Sequence, residues 1–215
     1  MILSNGCFLL KKKFMKSAVI LVGGKARRAE GREKYFFSID GQMFIDRTLS
    51  TLNDIVDEIL IVGKDPGQGE KFISFPQIRY IFDEIPDRGP LNGLITGARA
   101  ARGSEIFAVA CDMPFINKKV INRLFSFLPG YEAVIPIWEN GYIEPLHGVY
   151  LRDRLIKEEE LMENHSFRDY LDRIKVKNIP VELMNDIDPE FLSFTNVNSM
   201  DDYNHLTKPF QNKSP

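Results

Sequence analysis

Two glycines with cations downstream, Gly23-Gly24 followed by Arg28 and Lys34, leave the short apolar run Ala18-Val19-Ile20-Leu21-Val22. Glycine lets backbone amides close in on an anion, and Arg and Lys add forked donors and charge, so the stretch suits a phosphate cradle. A plain tight turn is the simpler reading, and the cations beside the glycines argue against it. A Walker A loop would need Gly-Lys-Ser/Thr and a dinucleotide fingerprint G-x-G-x-x-G; this stretch has neither.

Two more loops carry chemistry. Asp83-Glu84-Ile85-Pro86-Asp87-Arg88-Gly89-Pro90-Leu91-Asn92-Gly93 opens a predicted helix whose free N–H groups could meet an anion or a base edge. Pro and Gly are also routine punctuation at a helix start, so the residues alone leave both readings open. Ala110-Cys111-Asp112-Met113-Pro114 ends an apolar run. A carboxylate there, beside phosphate oxygens, would suit Mg²⁺, which takes hard oxygen ligands and few protein carboxylates; capping of the Pro-containing turn is the alternative.

Further along, Glu144-Pro145-Leu146-His147-Gly148 crosses a predicted strand, and Asn196-Val197-Asn198 places two amides on one side if extended. Both suit a second substrate. For the asparagines an Asx turn with a helix cap is the blander choice, and His147 reads as structural. There is no Gly-x-Ser-x-Gly elbow. Cys111 lacks a His nearby and reads as a small buried residue, and Trp138 as core or rim packing.

The elements that must position these residues follow an α/β rhythm. Ala18–Val22, Glu58–Val62, Arg79–Phe82 and Ile106–Ala110 read as strands buried on both faces. Phe44 to Leu52, Leu91–Ala101 and Asn117 to Leu128 read as helices, the last with Asn117 as its N-cap. Ala133–Ile137 and Glu144–Leu151, flanking Asn140-Gly141, predict an antiparallel pair beside the parallel core. Arg154–Asn164 and Phe167–Ile174 predict one interrupted helix or two short ones, and Lys177–Leu183 a late strand. A Ser199 cap precedes a terminal helix from about Met200 to Leu206.

With 44% hydrophobic and 27% charged residues in 215, the chain supports one ordinary globular core. We expect a flexible extension over residues 1–14, one domain over 15–207 and a disordered tail over 208–215. A net charge of −2 gives no footprint for nucleic acid. The apolar patch Cys7-Phe8-Leu9-Leu10 precedes the lysines at 11–13, the reverse of a secretory signal, and is too short for a membrane span. Cys7 and Cys111 are far apart and form no metal spacing, which fits a cytoplasmic protein.

The Gly-Gly pair, the Arg28 to Gly31 segment and Lys34 resemble the N-terminal signature of the molybdenum cofactor guanylyltransferases, within the nucleotide-diphospho-sugar transferase superfamily. The resemblance covers about Ala18 to Leu206. It departs at Arg28-Ala29-Glu30, where the family has Arg-Met-Gly, at Glu33 for Asp, at Asn92 for Ala in Gly-Pro-Leu-Ala-Gly, and at Glu144 for His. It implies a single-domain three-layer α/β sandwich, mostly parallel with an antiparallel element. It further implies Mg²⁺-dependent transfer of GMP from GTP to the phosphate of molybdopterin, with release of pyrophosphate.

Under that resemblance Leu21, Val22, Gly23, Gly24, Lys34, Asp83, Gly89, Pro90 and Leu91 bind nucleotide. Asn196 and Asn198 bind the pterin. Arg28, Lys34 and Asp112 carry catalysis, and Asp112 holds the metal. The expected partners are GTP and molybdopterin, with transient contact to cofactor-delivery proteins, no nucleic acid and no membrane, in a monomer or weak oligomer. The alternatives are a CTP:molybdopterin or GTP:phospho-acid enzyme, and a non-catalytic guanine-nucleotide-binding partner. The Gly-Gly pair and Gly89-Pro90-Leu91 favour guanine.

Overall fold

Consecutive residues of a strand point to opposite faces, so an unbroken apolar run must be covered on both sides. The computed structural model, which describes residues 15–22, 37–64, 66–83, 85, 88–159, 166–197 and 202, shows this for three central strands. These are β1 (Lys16–Leu21), β4 (Glu58–Gly63) and β6 (Glu105–Ala110). Along β1, Ala18 and Ile20 pack toward α1 (Phe44–Asn53) and α4 (Lys118–Phe127), while Val19 and Leu21 pack toward α3 (Pro90–Ala100). The second face is completed by Leu155 of α5 (Arg152–Glu159) and Tyr170 of α6 (Phe167–Asp172). Three layers result, as expected. Each fully buried aliphatic side chain contributes about 1.5–3 kcal/mol to holding them together.

The sheet has seven strands in the order β5-β4-β1-β6-β8-β7-β9, where β5 is Ile78–Phe82, β7 Ala133–Ile137, β8 Val149–Leu151 and β9 Val176–Pro180. β5, β4, β1 and β6 pair in parallel, β8 runs antiparallel to both β6 and β7, and β7 and β9 are parallel to each other. Only β8 is therefore reversed, and β7 runs the same way as β1. A two-stranded ribbon, β2 (Ser38–Ile39) with β3 (Gln42–Met43), turns at Asp40 and Gly41, whose φ angles are 52° and 76°. That Asp-Gly signal went unread because the flanking strands are two residues each.

Helix α3 approaches the sheet closely at Gly97. A Cβ on Gly97 would stand 2.5 Å from Val19 Cγ1, so glycine is what allows the approach. The four parallel strands and three of the four helices of the first 128 residues fall within two residues of expectation, and the Asn117 side chain caps α4 by accepting from the Lys119 amide at 2.8 Å.

The second half needs corrections. The strand expected over Glu144–Leu151 is only Val149–Leu151, because Pro145 has no N–H to donate and Pro145–His147 form a 3₁₀ turn instead. The late strand is Val176–Pro180, and Val181–Met184 turn into another 3₁₀ segment after the proline. Between β4 and β5, α2 (Pro66–Gly69) is a short helix that was not expected. Residues 1–14, the Ser199 cap, most of the terminal helix and the tail 208–215 lie outside the described residues.

Candidate active site

Because β1, β4, β5 and β6 are parallel, their carboxyl ends share one edge of the sheet, where ligands bind in such folds. Backbone hydrogen bonds lock that edge. The Cys111 amide donates to the Leu21 carbonyl at 3.1 Å and the Val22 amide to the Val62 carbonyl at 2.9 Å. Gln68 Nε2 donates to the Val22 carbonyl at 3.4 Å, while its Oε1 accepts from the Lys64 amide at 3.0 Å and the Tyr80 hydroxyl at 3.3 Å. Leu21 and Val22 are thus buried and fixed where the chain enters the glycine pair. Gly23, Gly24, Arg28 and Lys34 lie outside the described residues.

Asp83 sits at the end of β5, over the first turn of α3. Its Oδ1 accepts from Asn92 Nδ2 at 2.8 Å, from the Ile85 amide at 3.1 Å and from Thr96 Oγ1 at 3.3 Å. Its Oδ2 accepts from Asn92 Nδ2 at 3.0 Å, and the same Nδ2 donates to the Ile85 carbonyl at 3.2 Å. Asn92, which stands where the resembled family has Ala, is buried and ties the loop to the helix. Gly89, at φ 93°, precedes Pro90 and Leu91, so the helix begins with open amides facing the edge. The Gly89 conformation is one that L side chains rarely adopt.

Asp112 follows β6 on the same edge and is half-buried, with Oδ1 shielded from solvent. Its carbonyl accepts from the Val197 amide at 2.8 Å, which brings Asn196 alongside the carboxylate loop; Asn198 lies outside the described residues. Among the described residues no three His, Cys, Asp or Glu side chains gather as metal ligands. A cation here would take Asp112 from the protein and its remaining oxygens from substrate and water, a donor set that fits Mg²⁺. Cys111, expected to be buried, is half-buried and free of disulfide.

Beyond Asp112 lies the Glu144 to Gly148 segment that the sequence marked for a second substrate, now joined to Trp138, Phe191 and Phe194, a partnership the sequence did not show. β7 runs parallel to β1, so Trp138 and the excursion to Gly148 emerge on the ligand edge. Trp138 Nε1 donates to Glu144 Oε1 at 2.8 Å. Trp138 meets Phe191 and Phe194 edge-on, with ring centroids 5.7 and 5.9 Å apart. His147 packs edge-on against Phe194 at 4.8 Å and Phe107 at 5.2 Å. Burial pushes the Glu144 carboxyl above the ordinary glutamate value, and the indole N–H offsets part of that rise. Burial likewise pushes His147 down to about 3, so it is a neutral packing residue. The spacing Trp138 to Glu144 across Asn140-Gly141 was the available signal, since a turn returns the chain to its partner.

A cleft of about 460 Å³ lined by Lys16, Asn53–Asp57 and Glu105 lies at the amino-terminal ends of β1 and β6. It is on the opposite edge from Asp112, and its mixed charges suit no single anion. The site is better placed by strand polarity than by cleft size.

A mostly parallel sheet with one reversed strand and helices on both faces is the architecture of a nucleotidyltransferase of the nucleotide-diphospho-sugar transferase fold. The crystal structure of molybdopterin-guanine dinucleotide biosynthesis protein A from Archaeoglobus fulgidus superposes with a TM-score of 0.76 at 28% identity, covering 92% of this chain and 100% of that one. A Methanosarcina mazei protein named "Probable molybdenum cofactor guanylyltransferase" is 33% identical over 205 residues, 91% of this chain and 92% of its own length. A protein of the same name from Clostridium perfringens is 34% identical over 198 residues, 90% and 96% of the two chains. The chain belongs to the family of MobA-like NTP transferase domains, whose pattern matches residues 18–178, and it is a nucleotidyltransferase.

Proposed function

We propose that this protein transfers GMP from GTP to the phosphate of molybdopterin, releasing pyrophosphate and forming the guanine dinucleotide cofactor. The observation that carries this is the shared edge: the ends of β1, β5 and β6 meet there, and Val197 hydrogen-bonds to Asp112. Leu21 and Val22, Asp83, Asp112 and Asn196 with Val197 therefore lie along one edge, which supports reading that edge as the place where nucleotide and acceptor meet. The names carried by relatives in Methanosarcina mazei and Clostridium perfringens support the same substrates.

Nucleotidyl transfer asks the protein for position and charge neutralisation, and little covalent chemistry. Gly23, Gly24 and neighbouring amides hold phosphate, and Arg28 and Lys34 offset charge on the triphosphate and the departing pyrophosphate. Gly89, Pro90, Leu91 and Asp83 bind the base side of the nucleotide, and Asn196 and Asn198 the pterin. Asp112 would hold Mg²⁺, which when bound neutralises phosphate oxygens as charge develops. The acceptor phosphate is already ionised at neutral pH, so no general base is required.

The test is incubation of the protein with molybdopterin, Mg²⁺ and each of the four NTPs separately, following pyrophosphate and product mass. GTP alone should give pyrophosphate and the guanine dinucleotide. Turnover with CTP and none with GTP would overturn the substrate assignment, and nucleotide binding without pyrophosphate would leave a binding module.

A further inference from the structure

The environment of Glu144 defines a recognition element that the transfer chemistry does not use. The residue is 7% exposed. Its backbone is pinned, the amide donating to the Pro136 carbonyl at 2.9 Å. Among the described residues, Trp138 is the one hydrogen-bond partner of its carboxylate, and no Lys or Arg pairs with it. A carboxylate offers about four lone-pair sites, so one indole N–H leaves most of them available. A buried acid this under-supplied is costly unless something with N–H groups meets it. Around it stand the rings of Trp138, Phe191 and Phe194, which suit a flat heterocycle.

Among the heterocycles of the proposed reaction, the 2-amino-4-oxopyrimidine ring is the flat group with two adjacent N–H donors on one edge, its ring N–H and its amino group side by side. A carboxylate accepts such a pair through both oxygens. Guanine and pterins share that edge. Position in the sheet separates them. From β5, whose end carries the Asp83–Leu91 base loop, to β7 is five strand steps, roughly 24 Å at about 4.8 Å per step, beyond the reach of one base. From β6, whose end carries Asp112, to β7 is two steps, roughly 10 Å. A heterocycle at Glu144 can therefore direct a phosphate-bearing arm toward Asp112.

We propose that Glu144, held by Trp138, reads the aminopyrimidinone edge of the acceptor pterin and sets the acceptor's orientation, ring toward β7 and phosphate toward β6. This rests on the acceptor being a pterin, as argued above. Trp138 is a positioning residue: its indole N–H takes one lone pair of Oε1 and so fixes the plane of the carboxylate, leaving the second lone pair of Oε1 and those of Oε2 for the ligand's two N–H groups. His147 and Phe107 support it from below by fixing Phe194, which leads into Asn196 and Val197.

The experiment uses the full chain with three probes: 6-hydroxymethylpterin, lumazine (which carries a second oxo group where pterin has its amino group) and GTP. Wild type should bind the pterin at least about tenfold more tightly than lumazine. Glu144→Gln keeps the size and can still accept from Trp138, but turns an N–H₂ toward the ligand. It should lose about tenfold or more in pterin affinity and lose the preference over lumazine, with GTP affinity within about twofold and an unchanged melting temperature. Trp138→Phe keeps the ring and removes the donor, and should fall between the two. Unchanged pterin affinity in Glu144→Gln would overturn the proposal, and so would a loss confined to GTP. Wild type that makes pyrophosphate from GTP and molybdopterin, beside a Glu144→Gln variant with the same molybdopterin KM, overturns the role of Glu144 alone. Wild type that makes none overturns the guanylyl-transfer reading itself.

Discussion

The two halves of the sheet hold their share of the site in different ways. On the β5-β4-β1-β6 side, strands of five or six residues end on a common edge, and hydrogen bonds from main-chain amides fix where each loop departs. On the β8-β7-β9 side, β8 is three residues long and the connections are 3₁₀ turns at Pro145–His147, Val181–Met184 and Leu192–Phe194. Side chains do the positioning there: Trp138 on Glu144, and His147 and Phe107 on Phe194. The cause is the reversal of β8. A strand that enters from the ligand edge forces its preceding connection, Trp138 to Gly148, to cross that edge. Under the proposed function a nucleotide's phosphates would be met by backbone and the second substrate by side chains, and acceptor specificity would be the more easily altered of the two.

If side chains hold the second half, acid should break it first through His147. Its folded pKa of about 3 lies below the ordinary value of 6.5, so the unfolded state binds the extra proton. The sign follows: full stability is present above about pH 6.5 and is lost as pH falls toward 3. At about 1.4 kcal/mol per pH unit the loss over that window is roughly 4–5 kcal/mol. Chemical denaturation between pH 7 and 4 should show that slope in wild type and lose most of it in His147→Phe. An equal slope in both proteins would mean that His147 is not buried in its neutral form.

The next effect belongs to the first half. Asp112→Asn keeps the shape of the side chain and removes its charge, so guanylyl transfer should fall by about 10²–10³-fold or more, some 3–4 kcal/mol in the transition state. The Val197 to Asp112 hydrogen bond uses the backbone carbonyl and survives the change. The melting temperature should therefore stay near wild type; a large drop with normal turnover of the remaining folded protein would make Asp112 a turn residue.

What could be read from the sequence follows the same division. The four parallel strands announce themselves because burial on both faces requires unbroken apolar runs such as Ala18 to Val22, and Asn117 was recognisable because an N-cap needs only its own local amides. The strand over Glu144–Leu151 was drawn too long because the Asn140-Gly141 turn marks where the chain reverses and not where pairing begins, while Pro145 and the tertiary contact of His147 decide the backbone. Asp83 and Asp112 could be picked out by their place after apolar runs. The grip of Asn92 on Asp83 could not, since it spans nine residues and depends on where α3 begins. The partnership of Trp138 with Phe191 and Phe194 crosses more than fifty residues and leaves no periodic trace.

Asn92 tests whether the base loop relies on backbone alone. Removing its side chain in Asn92→Ala deletes both of the Nδ2 contacts to Asp83 and leaves the weaker Thr96 contact at 3.3 Å and the Ile85 amide. Hydrogen bonds to a charged acceptor contribute about 1.5–3 kcal/mol. The KM for GTP should rise by roughly tenfold or more with kcat nearly unchanged, and molybdopterin binding should not move. Equal GTP affinity in the variant would show that the Asx turn at Ile85 holds Asp83 without help.

The smallest expected effect probes the turn that brings Glu144 back to Trp138. Gly141 has φ 82° and a Cβ added there would meet nothing within 4 Å, so Gly141→Ala costs only the left-handed backbone, about 1–2 kcal/mol. The turn is tied by the Gly141 amide to the Trp138 carbonyl at 2.8 Å, the Trp138 amide to the Tyr142 carbonyl at 2.8 Å and the Tyr142 amide to Asn140 Oδ1 at 3.0 Å. Those three bonds should keep it closed in the variant, with strain rather than rupture. The melting temperature should then fall by a few degrees, since about 1 kcal/mol corresponds to some 2–4 °C at this chain length. GTP affinity should be unchanged, because among the described residues the turn's hydrogen bonds run only between Trp138, Asn140, Gly141 and Tyr142. Pterin affinity should weaken by no more than a few-fold, as Trp138 shifts slightly against Glu144. A tenfold or greater loss of pterin affinity with an unaltered melting temperature would mean that the turn itself contacts the acceptor, and Asn140 or Tyr142 would then join Glu144 as specificity residues.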